Sequence, residues 1–281
     1  MVPEFQGRNL VIATMHNKDR VMRSLLEQTL GVNVHVIKEL NTDLLGTFSG
    51  EIERTGTAEE VASRKCELAM EETGFTLAVA SEGSFGPHPY LFGVPVNEEL
   101  VYFFDRALDI HCIGKSISPE TNFSHAEVVN SDALLDFAKR VNFPSHAIIL
   151  KNNLHKPTVI EKGIQDYNRL LDAFNRMKER YGKAYTETDM RAMYNPSRMV
   201  VIGQATQAML NALTNRCPSC NGLYFKLTDF EIGLPCSLCA SPTQSILAHH
   251  YSCRVCGFKE RKLFPKHKEA EDPMYCDYCN P

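Results

Sequence analysis

The chain has no apolar stretch long enough to cross a bilayer. It also has no N-terminal segment that combines positive charge, a long apolar run and a small-residue cleavage site. The first absence speaks against a membrane-spanning protein and the second leaves no route to an oxidising compartment, so a soluble, cytoplasmic chain is expected. Basic excess is missing too. Thirty Lys and Arg against 34 Asp and Glu leave a formal charge of −4, which argues against a general nucleic-acid binder, because neutralising phosphates takes clustered cations. Low-complexity segments are absent, and the paired cysteine motifs are the one internal repetition. At 281 residues with 43% hydrophobic content, the chain has ordinary globular composition and can bury one substantial core plus an appendage.

Eight of the ten cysteines form four Cys-x-x-Cys pairs in the last quarter of the chain: Cys217 and Cys220, Cys236 and Cys239, Cys253 and Cys256, Cys276 and Cys279. Two thiolates separated by two residues can close on one ion from a single tight turn, and two such turns complete the tetrahedral sulfur shell that zinc prefers. In a reducing compartment this spacing favours two structural zinc ions over disulfides. An iron–sulfur cluster is the main rival. Sequential, tandem pairing is expected, Cys217, Cys220, Cys236 and Cys239 holding one ion and Cys253, Cys256, Cys276 and Cys279 the other, because it avoids crossing connections. The other two cysteines, Cys66 and Cys112, have no activating base beside them in sequence and read as small buried apolar residues.

Upstream, strands and helices alternate, giving an α/β, mixed-sheet N-terminal domain over residues 1–155. Leu10 to Thr14 reads as a strand, and Val21, Met22, Leu25, Leu26 and Leu30 as a helix face stopped by Gly31. Thr57 and Glu60 have capping-box spacing, and Phe75 to Ala80 reads as a strand followed by a Gly- and Pro-rich loop from Ser81 to Pro89. Residues 156–214 read as a helical extension packed on that domain, and residues 215–281 as tandem zinc ribbons. The ribbon segment carries eight Lys or Arg and seven Asp or Glu, so its basic run from Lys259 to Lys268 reads as a solvated ribbon edge. Its aromatics, Tyr224, Phe225, Tyr251, Phe258, Phe264 and Tyr275, serve either the ribbons' small cores or stacking on a partner, with core the better default.

Three N-terminal elements have the residue types that a phosphorylated ligand with a divalent metal requires. Thr14, His16, Asn17 and Lys18 stand between strand and helix, where free amides and the positive dipole end attract anions. Glu51 and Glu53 alternate on an extended segment before a helix carrying Lys65, a pattern suited to magnesium. Glu82, followed by His88, lies after an apolar strand, where carboxylates activate water or hold metal. Farther on, Glu187, Asp189 and Arg191 share a face of an extended segment. There Arg191 either clamps an anion or makes a structural ion pair with Asp189.

The order Ala-Thr-x-x-Asn-Lys, then Glu-x-Thr-Gly-Thr, then Ser81-Glu82-Gly83 resembles the inosine and xanthosine triphosphate pyrophosphatases over roughly residues 9 to 95. His16 takes a place that those enzymes give to Asn. The resemblance implies a magnesium-dependent nucleotide phosphohydrolase on an α/β fold, commonly a homodimer, with Glu82 and Glu53 catalytic and Thr14, Asn17, Lys18 and Lys65 on the phosphates; Arg191, outside the resemblance, is a further phosphate-binding candidate from its own segment. The whole chain, through its Glu187 to Pro196 segment and terminal Cys-x-x-Cys-Asn-Pro, resembles an uncharacterised bacterial family. The competing expectation is a non-enzymatic zinc-ribbon protein that binds a nucleic acid or protein partner.

Overall fold

The fold is taken from a computed structural model that describes residues 2–37, 56–87 and 93–280. The chain divides into two compact units, Met1–Met209 and Leu210–Pro281. No helix among the described residues is long and apolar enough to cross a membrane.

The first unit opens with strand β1 (Asn9–Ala13), helix α1 (Asp19–Leu30), β2 (Asn33–Ile37), α2 (Ala58–Thr73) and β3 (Leu77–Pro87). Buried Met22, Leu26 and Leu30 give α1 its apolar stripe, and Gly31 ends it at φ 72°, a conformation open to glycine at little cost. The expected capping box opens α2: the Thr57 hydroxyl accepts from the Glu60 amide at 3.2 Å, and the Thr57 amide donates to the Glu60 carboxylate at 2.7 Å. β1 lies parallel to both β2 and β3. Two further strands, β4 (Pro95–Asp105) and β5 (Ile110–Ser118), add antiparallel to complete a mixed sheet of order β2-β1-β3-β4-β5.

Alternation along the strands divides the sheet's two faces. One carries Val11, Ala13, Ala78, Ala80, Leu100 and Tyr102 against Ala62, Cys66, Ala69 and Met70 of α2. Cys66 and Cys112 are both fully buried, as their lack of a neighbouring base suggested. The opposite face is met by α5 (Pro196–Thr214), so closely at Gly114 that a Cβ there would lie 2.2 Å from the Ala205 carbonyl oxygen and the Met209 nitrogen.

Two expectations are corrected. The loop expected from Ser81 to Pro89 is strand as far as Pro87, because β4 supplies an unbroken antiparallel partner from Ser81↔Val101 to Pro87↔Pro95. Glu82 therefore lies within a strand. Residues 156–214 are also not only helical. β8 (Ile160–Ile164) and β9 (Ala184–Thr188) join β6 (His125–Val128) and β7 (Ile148–Lys151) in a four-stranded sheet of order β6-β9-β7-β8. Helices α3 (Ser131–Arg140) and α4 (Tyr167–Tyr181) pack on this sheet through Leu134, Phe137, Leu170 and Phe174. A strand is expected from sequence at His146 to Leu150, where β7 lies, whereas β6, β8 and β9 escaped a periodicity reading because each has four or five residues, too few to show alternation.

The second unit holds one antiparallel sheet, β10 (Lys226–Ile232), β11 (Ile246–Ser252) and β12 (Lys259–Leu263). Phe225, 1% exposed, stacks on Tyr251 at 5.4 Å and is the centre of a very small core. The basic run does form an edge strand: Arg261 pairs with Glu231, and Lys262 pairs with Glu260 and lies over the Tyr251 ring.

Because α5 touches backbone at Gly114, Gly114→Ala is expected to destabilise the first unit by about 2 kcal/mol or more in chemical denaturation. A loss near zero would refute the close approach of helix and sheet.

Candidate functional site

The eight paired cysteines gather into two groups of four, with the sulfurs of each group within 4.8 Å of one another. The groups are Cys217, Cys220, Cys253 and Cys256, and Cys236, Cys239, Cys276 and Cys279. The pairing is thus interleaved and the tandem expectation is overturned. Spacing along the chain permits either arrangement. The antiparallel β10-β11-β12 sheet decides it, because β11 leads into the Cys253 turn beside the Cys217 turn that precedes β10.

Tetrahedral zinc with sulfur at about 2.3 Å requires sulfurs about 3.8 Å apart. The observed separations are 3.8 Å for Cys217 and Cys256, 3.6 Å for Cys220 and Cys253, 3.9 Å for Cys236 and Cys279 and 3.7 Å for Cys239 and Cys276. These are far beyond a disulfide bond. They also enclose room for one ion, whereas a multi-iron cluster would spread its sulfurs wider. Backbone amides support the thiolates, Leu238 donating to Cys236 at 3.4 Å and Val255 to Cys253 at 3.3 Å. Both groups can hold structural zinc, whose chemistry here is to fold the unit.

In the first unit the anticipated residues separate into those that meet and those that do not. Lys18, at the start of α1, donates to the carbonyl and hydroxyl oxygens of Ser81, both at 3.0 Å. Lys65 of α2 forms an ion pair with Glu82. Ser81 and Glu82 are successive on a strand and point to opposite faces, so the two lysines approach β3 from opposite sides just past the end of β1. Thr14 is buried and its hydroxyl accepts from the His16 amide at 3.3 Å, which makes a local turn, while Asn17 takes φ 55° ahead of the helix. Glu51, Glu53 and His88 lie outside the described residues.

Arg191 pairs within its own segment. Its Nε and terminal nitrogen fork onto Asp189 at 3.0 and 2.6 Å, and its guanidinium lies 4.6 Å from the Tyr194 ring centre. Asp189 also accepts from the Gly163 amide, and Glu187 pairs with Lys151 at 2.6 Å. The segment is tied to the second sheet by structural ion pairs.

The arginine beside Lys18 is Arg198, which sequence reasoning did not single out. It is fully buried in α5, donates from Nε to Glu99 at 2.6 Å and to the Met190 carbonyl, and lies 5.4 Å from the Phe85 ring centre. Glu99 is opposite Gly83 on β4, and a Cβ at Gly83 would lie 2.3 Å from its carboxylate. Glycine at 83 thus makes room for the Glu99 carboxylate. The signal available in sequence was Asn195-Pro196, a helix start with an arginine at its third position, but its partner lies 99 residues away.

Lys18, Lys65 and Arg198 outnumber Glu82 and Glu99, and each carboxylate is taken by one of the other two cations. No carboxylate among the described residues pairs with Lys18. Burial, reinforced by Arg198, pushes the Lys18 ammonium down to about 8, against the pull of Glu99 and Glu82. Apart from the cysteines, no three His, Cys, Asp or Glu side chains among the described residues gather around one point. A separate groove of about 440 Å³ on the outer side of α2 is lined by Glu59, Glu60 and Glu67 with Arg64 and Tyr102, a lining ill suited to anions.

An α/β unit with a buried charged cluster, followed by a unit built on two four-cysteine centres, defines the class of protein. The chain belongs to the family described as Domain of unknown function (DUF6671), which matches residues 65–281. No curated protein matches it, and no likeness to the triphosphate pyrophosphatases is found. The family match includes Lys65, Glu82, Glu99, Arg198 and all eight paired cysteines, and begins after Lys18.

The interleaved pairing predicts distinct zinc contents for two double variants. Cys217→Ala with Cys253→Ala breaks one site and is expected to leave one zinc per chain, whereas Cys217→Ala with Cys239→Ala breaks both and is expected to leave none. Metal analysis of purified protein that shows the reverse would restore the tandem arrangement.

Proposed function

We propose that the first unit binds the phosphorylated end of a small molecule at the Lys18 cluster, with nucleotides the first class to test. The four-cysteine unit then supplies structure or partner recognition, in a reducing cytoplasm that keeps its thiols free. The observation that carries this reading is Lys18 itself, 7% exposed and bonded, among the described residues, only to the neutral oxygens of Ser81. A buried ammonium without a counter-ion is costly, so an anion that completes it gains affinity. The surroundings favour phosphate: the positive end of α1 lies at the same place, two further cations stand nearby, and the position just past parallel strands is where α/β sheets take ligands.

Phosphoryl hydrolysis is the finer reading. On this reading Lys18 would stabilise charge on a transferred phosphoryl group, and Glu82, paired with Lys65, would be the carboxylate that orients water. No metal-dependent step is derived from the described residues.

Lys18 gives the test. Its folded value of about 8 lies below the ordinary 10.5, so between these values the unfolded chain holds more protons and stability rises with pH. Below pH 8 the buried charge costs on the order of 3 kcal/mol. Lys18→Met is therefore expected to stabilise the ligand-free first unit at pH 7 while abolishing the stabilisation that pyrophosphate or a nucleoside triphosphate gives the wild type. That ligand effect is expected to fade above pH 8 as the amine becomes neutral. Thermal unfolding across pH reads both. A Lys18→Met protein that is destabilised, or a wild type indifferent to these anions, would make the cluster structural. Pyrophosphate release with and without magnesium, compared in wild type and Glu82→Gln, then separates hydrolysis from binding.

A further inference from the structure

We infer that the second four-cysteine centre is a docking surface for a protein segment that presents apolar side chains beside Arg or Lys. The observation is independent of the Lys18 site. Each Cys-x-x-Cys turn projects its third residue outward, and in this centre those residues are Leu238, 74% exposed, and Tyr278, 83% exposed. The cysteines on both sides of each residue converge on one point, so the two tips flank the same metal position. Met274 and Tyr275, both 59% exposed, occupy the short turn Pro273–Tyr275 that leads into Cys276. Four large apolar side chains held in the open around one centre form the kind of patch that soluble proteins keep for a partner. A metal-fixed backbone presents it with little ordering cost on binding.

Charge selects the partner. Residues 269 to 280 include Glu269, Glu271, Asp272 and Asp277 and no Lys or Arg. Lys268, just outside, is spent on the buried Glu271. Four thiolates around one zinc add about two negative charges. A phosphate backbone is repelled by such a rim, and a basic segment is drawn to it. The first centre supplies the contrast within the same unit. Its tips are Ser219 and Val255, Val255 packs beside Gly222, and its neighbours are Arg216 and Arg254.

The experiment uses the zinc-loaded full chain and fluorescence anisotropy of a short labelled peptide that alternates Arg and Leu, with its Glu-for-Arg counterpart as the opposite-charge probe. The basic peptide is expected to bind at least about tenfold more tightly, weakening with salt. Leu238→Ser with Tyr278→Ser is expected to reduce that binding about tenfold while zinc content stays at the wild-type value, and Val255→Ser is expected to leave it unchanged. Equal binding by wild type and the double variant, preference for the acidic peptide, or capture of single-stranded DNA by this patch would overturn the proposal. So would a concentration-dependent self-association abolished by the double variant, since a second copy would then be the occupant.

Discussion

The buried ion pair between Glu99 and Arg198 is the contact on which the first unit is organised. Both side chains are fully buried, so each must find its partners inside the protein: Arg198 reaches Glu99 and the Met190 carbonyl, and its amide donates to the Asn195 side chain at 3.0 Å. Asn195 in turn donates to Asn122 at 2.9 Å. One arginine therefore links β4 of the first sheet to the chain that leaves the second sheet, and it fixes the start of α5. Burial, with the same guanidinium adding to it, makes the Lys18 ammonium costly. Structure and candidate chemistry share one electrostatic source.

Burying so many charges demands compensation, and the compensation is incomplete at one place. Lys65 has Glu82 and Arg198 has Glu99, whereas among the described residues Lys18 has only hydroxyl and carbonyl oxygen. A site evolved for stability alone would gain by replacing that ammonium with an apolar side chain of similar length.

In the second unit the constraint is the convergence of the cysteines on two points, each of which can hold a zinc ion. Phe225, Tyr251 and Phe258 make too small a core to hold such a segment unaided, so the two four-cysteine centres take the place of a hydrophobic interior. Freed from packing duty, Leu238, Met274, Tyr275 and Tyr278 stay on the surface. The balance of apolar exposure and acidic rim differs between the two centres, which gives each a separate character within one small sheet.

Local devices were legible in the residues alone. The capping box at Thr57, the glycine stop at Gly31, the Pro-started helix at Asn195 and the metal-binding nature of the Cys-x-x-Cys turns depend on neighbours within a few positions, and a short stretch of chain determines them. Tertiary structure decided the rest. Interleaved and tandem zinc pairing satisfy the same spacings, and only the order of β10, β11 and β12 chooses between them. Glu82 read as a loop residue because Gly83, Gly86 and Pro87 break patterns locally, yet β4 carries the strand through all three. By sequence Arg191 was the candidate anion ligand, and Arg198 was not singled out. The fold gave one to Asp189, two residues away, and the other to Glu99, because contacts between distant residues are set by how sheets and helices stack and leave no periodic trace along the chain.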